Sequence, residues 1–336
     1  MMRVHGGANV PWDFSINANA LGPCPQALEA VMKADRQRYP EGSYFELIEQ
    51  LAHWHGVHAN RVLLGGSASE LIARMHVALR LLNGERTFVV SVPTPAYGDY
   101  AASALACGHQ VIAQGTDQGI DMQWLTVPSS PLGENLSGEA LAQRWVGGGV
   151  LSVIDAVYQP LLLDGHALPR SALDTAWSLW SPNKALGLCG VRGAYAIAPL
   201  HSSLHSSVAS SLANKMRELE PSWVLSAEAQ AMLGAWGSDS VQAWLADSLV
   251  RLRELKNIQL SMLEELGIRY QQSACNFFVV QLAEDAQLHA ARLQALFSFG
   301  VALRDTHSMG LPRWARMRVH TAPAQNAFLS AWKEIV

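Results

Sequence analysis

The segment Ser181-Pro-Asn-Lys184-Ala-Leu-Gly-Leu-Cys-Gly-Val-Arg192-Gly-Ala-Tyr195 gathers a hydroxyl, an amine and a guanidinium in one glycine-punctuated stretch. A lysine amine condenses with an aldehyde once it has lost its proton, and a serine hydroxyl beside a bidentate arginine suits a phosphate dianion. Pyridoxal 5'-phosphate carries both groups, so Lys184 reads as its covalent anchor, with Ser181 and Arg192 on its phosphate. Asp155 closes the apolar run Val150-Leu-Ser-Val-Ile154, and Tyr158 follows three residues later. In pyridoxal chemistry an aspartate facing the ring nitrogen keeps it protonated and strengthens the electron sink, while a phenol can donate to the ring oxygen O3′. Lys184, Asp155 and Tyr158 are the candidate catalytic residues. Their competing readings are structural: a salt bridge at a strand end for Asp155, a surface loop for Lys184 and Arg192.

A phosphate needs more donors, and Gly65-Gly66-Ser67-Ala68-Ser69-Glu70 offers them. Ser67 with Glu70 three residues on reads as a capping box opening a helix. The free N–H groups of Ala68 and Ser69 would then point at an anion, although the same pattern also marks an ordinary helix start. A dinucleotide-binding oxidoreductase is disfavoured. The loop lacks Gly-x-Gly-x-x-Gly, and the glycines at 147 to 149 precede a strand instead of following one.

The elements that would position these groups are legible as short apolar runs alternating with helical spacing, the mark of an α/β fold with a mainly parallel sheet. Val62-Leu63-Leu64, Thr87 to Ser91, Val111-Ile112, Val150 to Ile154 and Ala194 to Ala198 read as strands, and Tyr44 to His55 and Ala68 to Leu82 as helices. From Ser202 to Leu266 the pattern is nearly all helical. Asn276 to Leu282 and Met317 to Val319 then read as strands around a helix at Ala286 to Phe299, a smaller α+β domain. The expected division is an N-terminal arm at 1–40 packing on the small domain, a large cofactor-binding α/β domain at 41–235, and the small domain at 236–336.

The chain has 336 residues, 49% of them hydrophobic and 15% charged, which suits a protein with a large buried core. Its net charge of -4 supplies no basic field for nucleic acid or an anionic membrane. Cys24, Cys107, Cys189 and Cys275 are scattered without a Cys-x-x-Cys pair, which argues against structural zinc and against a disulfide framework. No metal site is expected. No apolar stretch of export-signal or membrane-spanning type is read, so the expected location is the cytoplasm.

The lysine segment resembles that of the class I/II aminotransferases of fold type I, Ser-x-Ser/Thr-Lys-x-x-Gly-Leu-x-Gly-x-Arg-x-Gly-Tyr, with Asn183 and Ala194 departing from it. Asp155-Ala-Val-Tyr158 is similar to the family's Asp-Glu-Ala-Tyr. Pro95-Ala-Tyr97-Gly-Asp-Tyr100 resembles its Pro-Thr-Tyr/Phe-Gly-x-Tyr turn, which implies that Tyr97 stacks on the cofactor ring. Where the family reads Asn-Asn-Pro-Thr-Gly, this chain has Ser129-Ser130-Pro131-Leu132-Gly133, so Ser130 stands at a cofactor-contacting amide position with a shorter side chain and one donor hydrogen. His5-Gly-Gly7, Asp13-Phe-Ser-Ile-Asn17-Ala-Asn19-Ala-Leu-Gly22 and Arg38-Tyr39-Pro40 look like the opening of the L-threonine-O-3-phosphate decarboxylases of cobalamin synthesis, relatives of the histidinol-phosphate aminotransferases. Arg304-Asp305, Gly310-Leu-Pro312 and Arg316-Met-Arg-Val319 resemble the segment carrying their two substrate arginines. The resemblance implies Arg316 on a substrate carboxylate and His5, Gly6, Asn17 and Arg304 around its other polar and anionic groups. It also implies a homodimer in which Tyr39 reaches the other subunit's cofactor phosphate. The substrate is a small amino acid or amino-phosphate. Decarboxylation is the favoured reaction, transamination the alternative, and cofactor binding without turnover a further reading prompted by Ser130.

Overall fold

The computed structural model describes residues 9–84, 86–116, 119–137, 141, 149–200 and 206–336, with side chains in the last segment described from 211. The expectations resting on His5 and Gly6, and on the glycines at 147 and 148, lie outside these residues. A two-residue strand, β1 (Trp12–Asp13), begins the described chain. Then follow β2 (Val62–Gly65), β3 (Val89–Val92), β4 (Gln110–Ala113), β5 (Met122–Thr126), β6 (Leu151–Asp155), β7 (Trp177–Trp180) and β8 (Ala194–Ile197). They form one seven-stranded sheet in the order β2-β8-β7-β6-β5-β3-β4. The pairs β7 with β6, β6 with β5, β5 with β3 and β3 with β4 are parallel, and β8 runs against both its neighbours. Every residue of β5, β6 and β8 is buried, as central strands covered on two faces require.

Side-chain alternation along these strands feeds two cores, one on each face. Leu63, Ala194, Ala196, Trp124 and Trp177 pack with the helices Ala68–Asn83, Asp99–Ala106 and Ser206–Glu218. Val62, Leu64, Tyr195 and Ile197 pack instead on the side of the helices Phe45–His55, Ala227–Trp236 and Asp239–Glu265. That second core runs on without a break into a four-stranded antiparallel sheet made of β9 (Arg269–Tyr270), β10 (Phe277–Gln281), β12 (Arg304–Asp305) and β13 (Ala315–Arg318), in the order β12-β13-β10-β9. The helix Ala286–Ser298 leads into β11 (Val301–Ala302), which pairs in parallel with β1. Among the described residues no helix is long and apolar enough to cross a membrane.

Most elements read from the sequence are present within a residue or two. In the large sheet β5 and β7 carry no clear sequence signal, and neither do the two-residue strands β1, β9, β11 and β12 or the helices Pro25–Lys33, Asp99–Ala106, Arg170–Thr175 and Ala322–Ile335. The reason in β5 is its polar content: Gln123 is buried and donates to Ser152 on β6 at 2.7 Å, a pairing that hides an amide from water but gives the segment no apolar signature. Trp177-Ser-Leu-Trp180 is only four residues long, below the length at which alternation is decisive.

The segment after β1 straps the lysine turn. Asn19 N–H donates to the Lys184 carbonyl at 2.8 Å, the Asn19 amide to the Ala185 carbonyl at 3.1 Å, and Cys24 N–H to the Leu186 carbonyl at 2.8 Å. Such close crossing of two backbones works only without side chains: a Cβ on Gly187, which has φ +68°, would lie 2.8 Å from the Gly22 Cα. Gly187→Ala is therefore expected to cost about 2–4 kcal/mol, combining left-handed strain with overpacking, read as a lower midpoint in equilibrium denaturation.

His76 is wholly buried, where its Nε2 accepts from the Trp124 indole at 3.4 Å, and burial lowers its pKa from 6.5 to about 3. Burial also holds His55 at about 4 and His320 at about 3. Below pH ~6.5 the unfolded chain takes up protons that these folded rings refuse, so stability must fall as pH falls toward 4. His76→Leu is expected to flatten that slope by roughly 1.4 kcal/mol per pH unit, measured by denaturation at several pH values.

Candidate active site

The carboxyl ends of β2, β3, β5, β6 and β7 converge, the edge at which open α/β sheets bind ligands. Asp155 is the last residue of β6 and is buried. Its Oδ2 accepts from the Tyr100 hydroxyl at 2.5 Å and its Oδ1 from the Val157 N–H at 3.0 Å. Burial pushes its pKa up, and these two donors with the Lys184 charge oppose that rise.

Lys184 follows β7 in a turn that Ser181 braces by donating to the Gly193 carbonyl at 3.0 Å and to Asn183 at 3.1 Å. Leu188 N–H donates to the Asn183 carbonyl at 2.8 Å and closes the same turn. The ammonium lies 5.2 Å over the Tyr158 ring, and among the described residues no carboxylate pairs with it. The Tyr158 hydroxyl accepts from the Asn17 amide at 3.2 Å, which leaves its own proton free to be donated.

At the start of the helix Ala68–Asn83, Ser67 accepts from Glu70 N–H at 3.0 Å, one half of the expected capping box. The reciprocal half is absent. Glu70 turns instead to Arg74, 2.7 Å away through both oxygens, because Arg74 is buried and needs the charge more than the helix start needs a second cap. The N–H groups of Ala68 and Ser69 have no acceptor within the helix. Ser69 Oγ is 2.9 Å from the Tyr97 hydroxyl, which donates to Asp99 at 2.7 Å. Arg192 is exposed and, among the described residues, donates to the Cys189 carbonyl alone, at 3.5 Å.

Arg304 and Arg316 stand directly opposite each other in the β12 and β13 register, and both are buried. Arg316 Nη1 donates to Ser130 at 3.0 Å and Nη2 to the Ser15 carbonyl at 3.2 Å; its guanidinium lies 5.7 Å from the Phe277 ring centre, and its Nε has no partner among the described residues. Arg304 donates to Ser308 at 3.2 Å. Elsewhere buried arginines have carboxylates: Arg74 has Glu70 and Glu220, and Arg61 has Asp174. Among the described residues, Arg304 and Arg316 have none within 4 Å. The Asn17 Oδ1, also buried, has no donor among the described residues. Tyr39 stays outside this cluster, 77% exposed and stacked on Trp223 at 4.3 Å.

The structure thus gathers Asp155, Tyr158, Lys184, Asn17, Ser130 and Arg316 into one connected site, with Arg304 beside Arg316. Sequence reasoning had quoted Tyr100 within a motif without giving it a role, and it had no means of finding the Ser15 carbonyl, since a backbone atom carries no residue-type signal.

The sequence profile of aminotransferase class I and II matches residues 11–330, and the chain belongs to this family. It is a pyridoxal-phosphate-dependent enzyme of fold type I. Histidinol-phosphate aminotransferase 2 of Pseudomonas aeruginosa is 29% identical to it over 346 aligned positions, covering 95% of this chain and 88% of that protein. A histidinol-phosphate aminotransferase from Sinorhizobium meliloti, solved in complex with pyridoxal-5'-phosphate, shares the fold with a TM-score of 0.79 at 19% identity, over 97% of this chain and 91% of that one. L-threonine-O-3-phosphate decarboxylase from Porphyromonas gingivalis does so with a TM-score of 0.77 at 16% identity, over 96% and 98%.

The residues present fit the cofactor: a lysine amine free of ion pairs, a buried carboxylate, a phenol with its proton free, and open N–H groups at a helix start. Borohydride reduction of the protein loaded with pyridoxal phosphate is expected to fix a pyridoxyl group on Lys184, located by peptide mass spectrometry, and Lys184→Ala to abolish it. An adduct on Lys33 or Lys215 would place the anchor elsewhere.

Proposed function

We propose that this enzyme acts on an amino acid or amino-phosphate with two anionic groups and releases its carboxylate as carbon dioxide, as a threonine-phosphate decarboxylase does. The supporting observation is the pair of buried arginines without carboxylates, Arg304 and Arg316. A guanidinium held out of water without a counter-ion costs several kcal/mol, and a substrate carboxylate or phosphate recovers that on binding. Two such groups side by side suit two anions on one small molecule.

The bound cofactor supplies an electron sink for the pair left on the substrate's Cα. The chain supplies everything else. Ala68, Ser69 and Arg192 would hold its phosphate, Tyr97 its ring face, and Asp155 the proton on its ring nitrogen; Ser181, read from the sequence as a phosphate donor, has its hydroxyl proton committed to the Gly193 carbonyl and Asn183 and would brace the lysine turn. Tyr158, whose oxygen accepts from the Asn17 amide, would donate its own proton toward O3′. Lys184 would be the group able to take or return a proton at the substrate's Cα. Arg316 would fix the substrate carboxylate and so set the orientation of the bonds at Cα. Ser130 reaches Arg316 with its hydroxyl and braces the clamp, a task a shorter side chain can perform. The exposed stack of Tyr39 on Trp223 supports a homodimer in which Tyr39 serves the partner's cofactor phosphate.

A second reading, transamination of histidinol phosphate, is favoured by the names of the curated relatives. That substrate would present its phosphate to the arginines. Incubation with O-phospho-L-threonine is expected to release carbon dioxide and an amino-propanol phosphate with no 2-oxo acid consumed. Arg316→Ala should lower this at least a hundredfold, as loss of a central electrostatic contact does. Turnover that requires 2-oxoglutarate, with histidinol phosphate or glutamate as amino donor, would make the enzyme a transaminase.

A further inference from the structure

Tyr100 is wholly buried, its ring stacked on Trp124 with centroids 4.7 Å apart and planes 20° from parallel. Its hydroxyl therefore cannot swing toward solvent, and it is aimed at one atom, Asp155 Oδ2, at 2.5 Å. Val157 N–H occupies Oδ1. Between them these donors fix the carboxylate plane at the end of β6.

A carboxylate facing a pyridine nitrogen shares one proton with it, and the more basic partner keeps it. Burial makes Asp155 more basic, which draws the proton onto the carboxylate and leaves a neutral ring, a weak electron sink. A hydrogen bond donated to Oδ2 stabilises the ionised carboxylate and reverses that preference. The other groups facing Asp155 are Lys184, whose charge acts in the same direction, and Tyr97, whose phenol proton is already given to Asp99. Burial and the neighbouring carboxylate push the Tyr100 phenol well above its ordinary range, so it remains a donor and never surrenders its own proton.

Resting on the assignment of Asp155 to the ring nitrogen, we propose that Tyr100 is a positioning residue that, by donating to Asp155 Oδ2, keeps the shared proton on the cofactor's ring nitrogen. No bond is made or broken at Tyr100; the proton stays within the Asp155 and ring-nitrogen pair, and Tyr100 decides on which side.

The test is 15N NMR of the protein reconstituted with pyridoxal phosphate labelled at the ring nitrogen, where pyridinium and neutral pyridine give well-separated shifts. Wild type should give the pyridinium shift, and Tyr100→Phe should move toward neutral pyridine with the cofactor still bound to Lys184. Asp155→Ala serves as the separate check on the underlying assignment and should lose the pyridinium shift outright. If Asp155→Ala keeps it, Asp155 does not face the ring nitrogen and the proposal falls with it. If Asp155→Ala loses it while Tyr100→Phe matches wild type, the role of Tyr100 alone is overturned. Should Tyr100→Phe fail to fold, Tyr100→Leu, which also lacks a donor, replaces it: a shift toward neutral pyridine there supports the proposal, and the wild-type shift contradicts it.

Discussion

Burial of charge without a protein counter-ion is the constraint around which this molecule is organised. Asp155 and Arg316 are both removed from water, and among the described residues neither has an ion-pair partner: Tyr100 and Val157 hydrogen-bond the carboxylate, on which the Lys184 charge also acts, and Ser130 and the Ser15 carbonyl accept from the guanidinium. The same fold gives its structural arginines acids to pair with, as Arg74 and Arg61 show. Unpaired burial at one place is therefore a property of the site, not of the chain's composition, and it is what leaves that place able to take up ions of both signs.

The architecture follows from having to hold such groups still. Ends of parallel strands put Asp155, the lysine turn and the glycine-led helix start on one edge, while the four-stranded sheet brings Arg304 and Arg316 in from the other side through the core that Tyr158 and Phe277 share, their rings 4.7 Å apart. The segment from Asp13 to Cys24 ties these parts together. It pairs with β11, supplies the Ser15 carbonyl to Arg316 and Asn17 to Tyr158, and then locks onto the backbone of the lysine turn where Gly22 meets Gly187. A displacement at this strap would reach the substrate arginine, the O3′ donor and the anchor at once.

What the sequence made legible was chemistry tied to residue type and chain order. Lys184, Asp155 and Tyr158 could be named as candidates from a strand-end carboxylate and a lysine in a glycine-rich turn, and the fold brings them near one another; the main strands were readable because their apolar runs are unbroken. What stayed hidden depends on distance in space. The Ser130 to Arg316 bond joins residues 186 positions apart, Tyr100 meets Asp155 across 55, and Glu70 abandoned its cap for an arginine whose burial no periodicity reveals. Polar residues inside the sheet, Gln123 with Ser152, concealed β5 in the same way. The two arginines were visible as types; that no carboxylate among the described residues pairs with them was visible only in the fold.

Equilibrium denaturation of Arg316→Met, beside wild type and with and without O-phospho-L-threonine, tests the primacy of unpaired buried charge most directly. An apolar side chain of similar length removes the desolvated cation, so the variant without ligand should be as stable as wild type or more so, while the stabilisation that the phosphorylated amino acid gives wild type should vanish. A variant that loses more than about 2 kcal/mol without ligand, or that is still stabilised by it, would contradict this, because Arg316 would then be a structural element of the fold and not a charge held in reserve for a substrate.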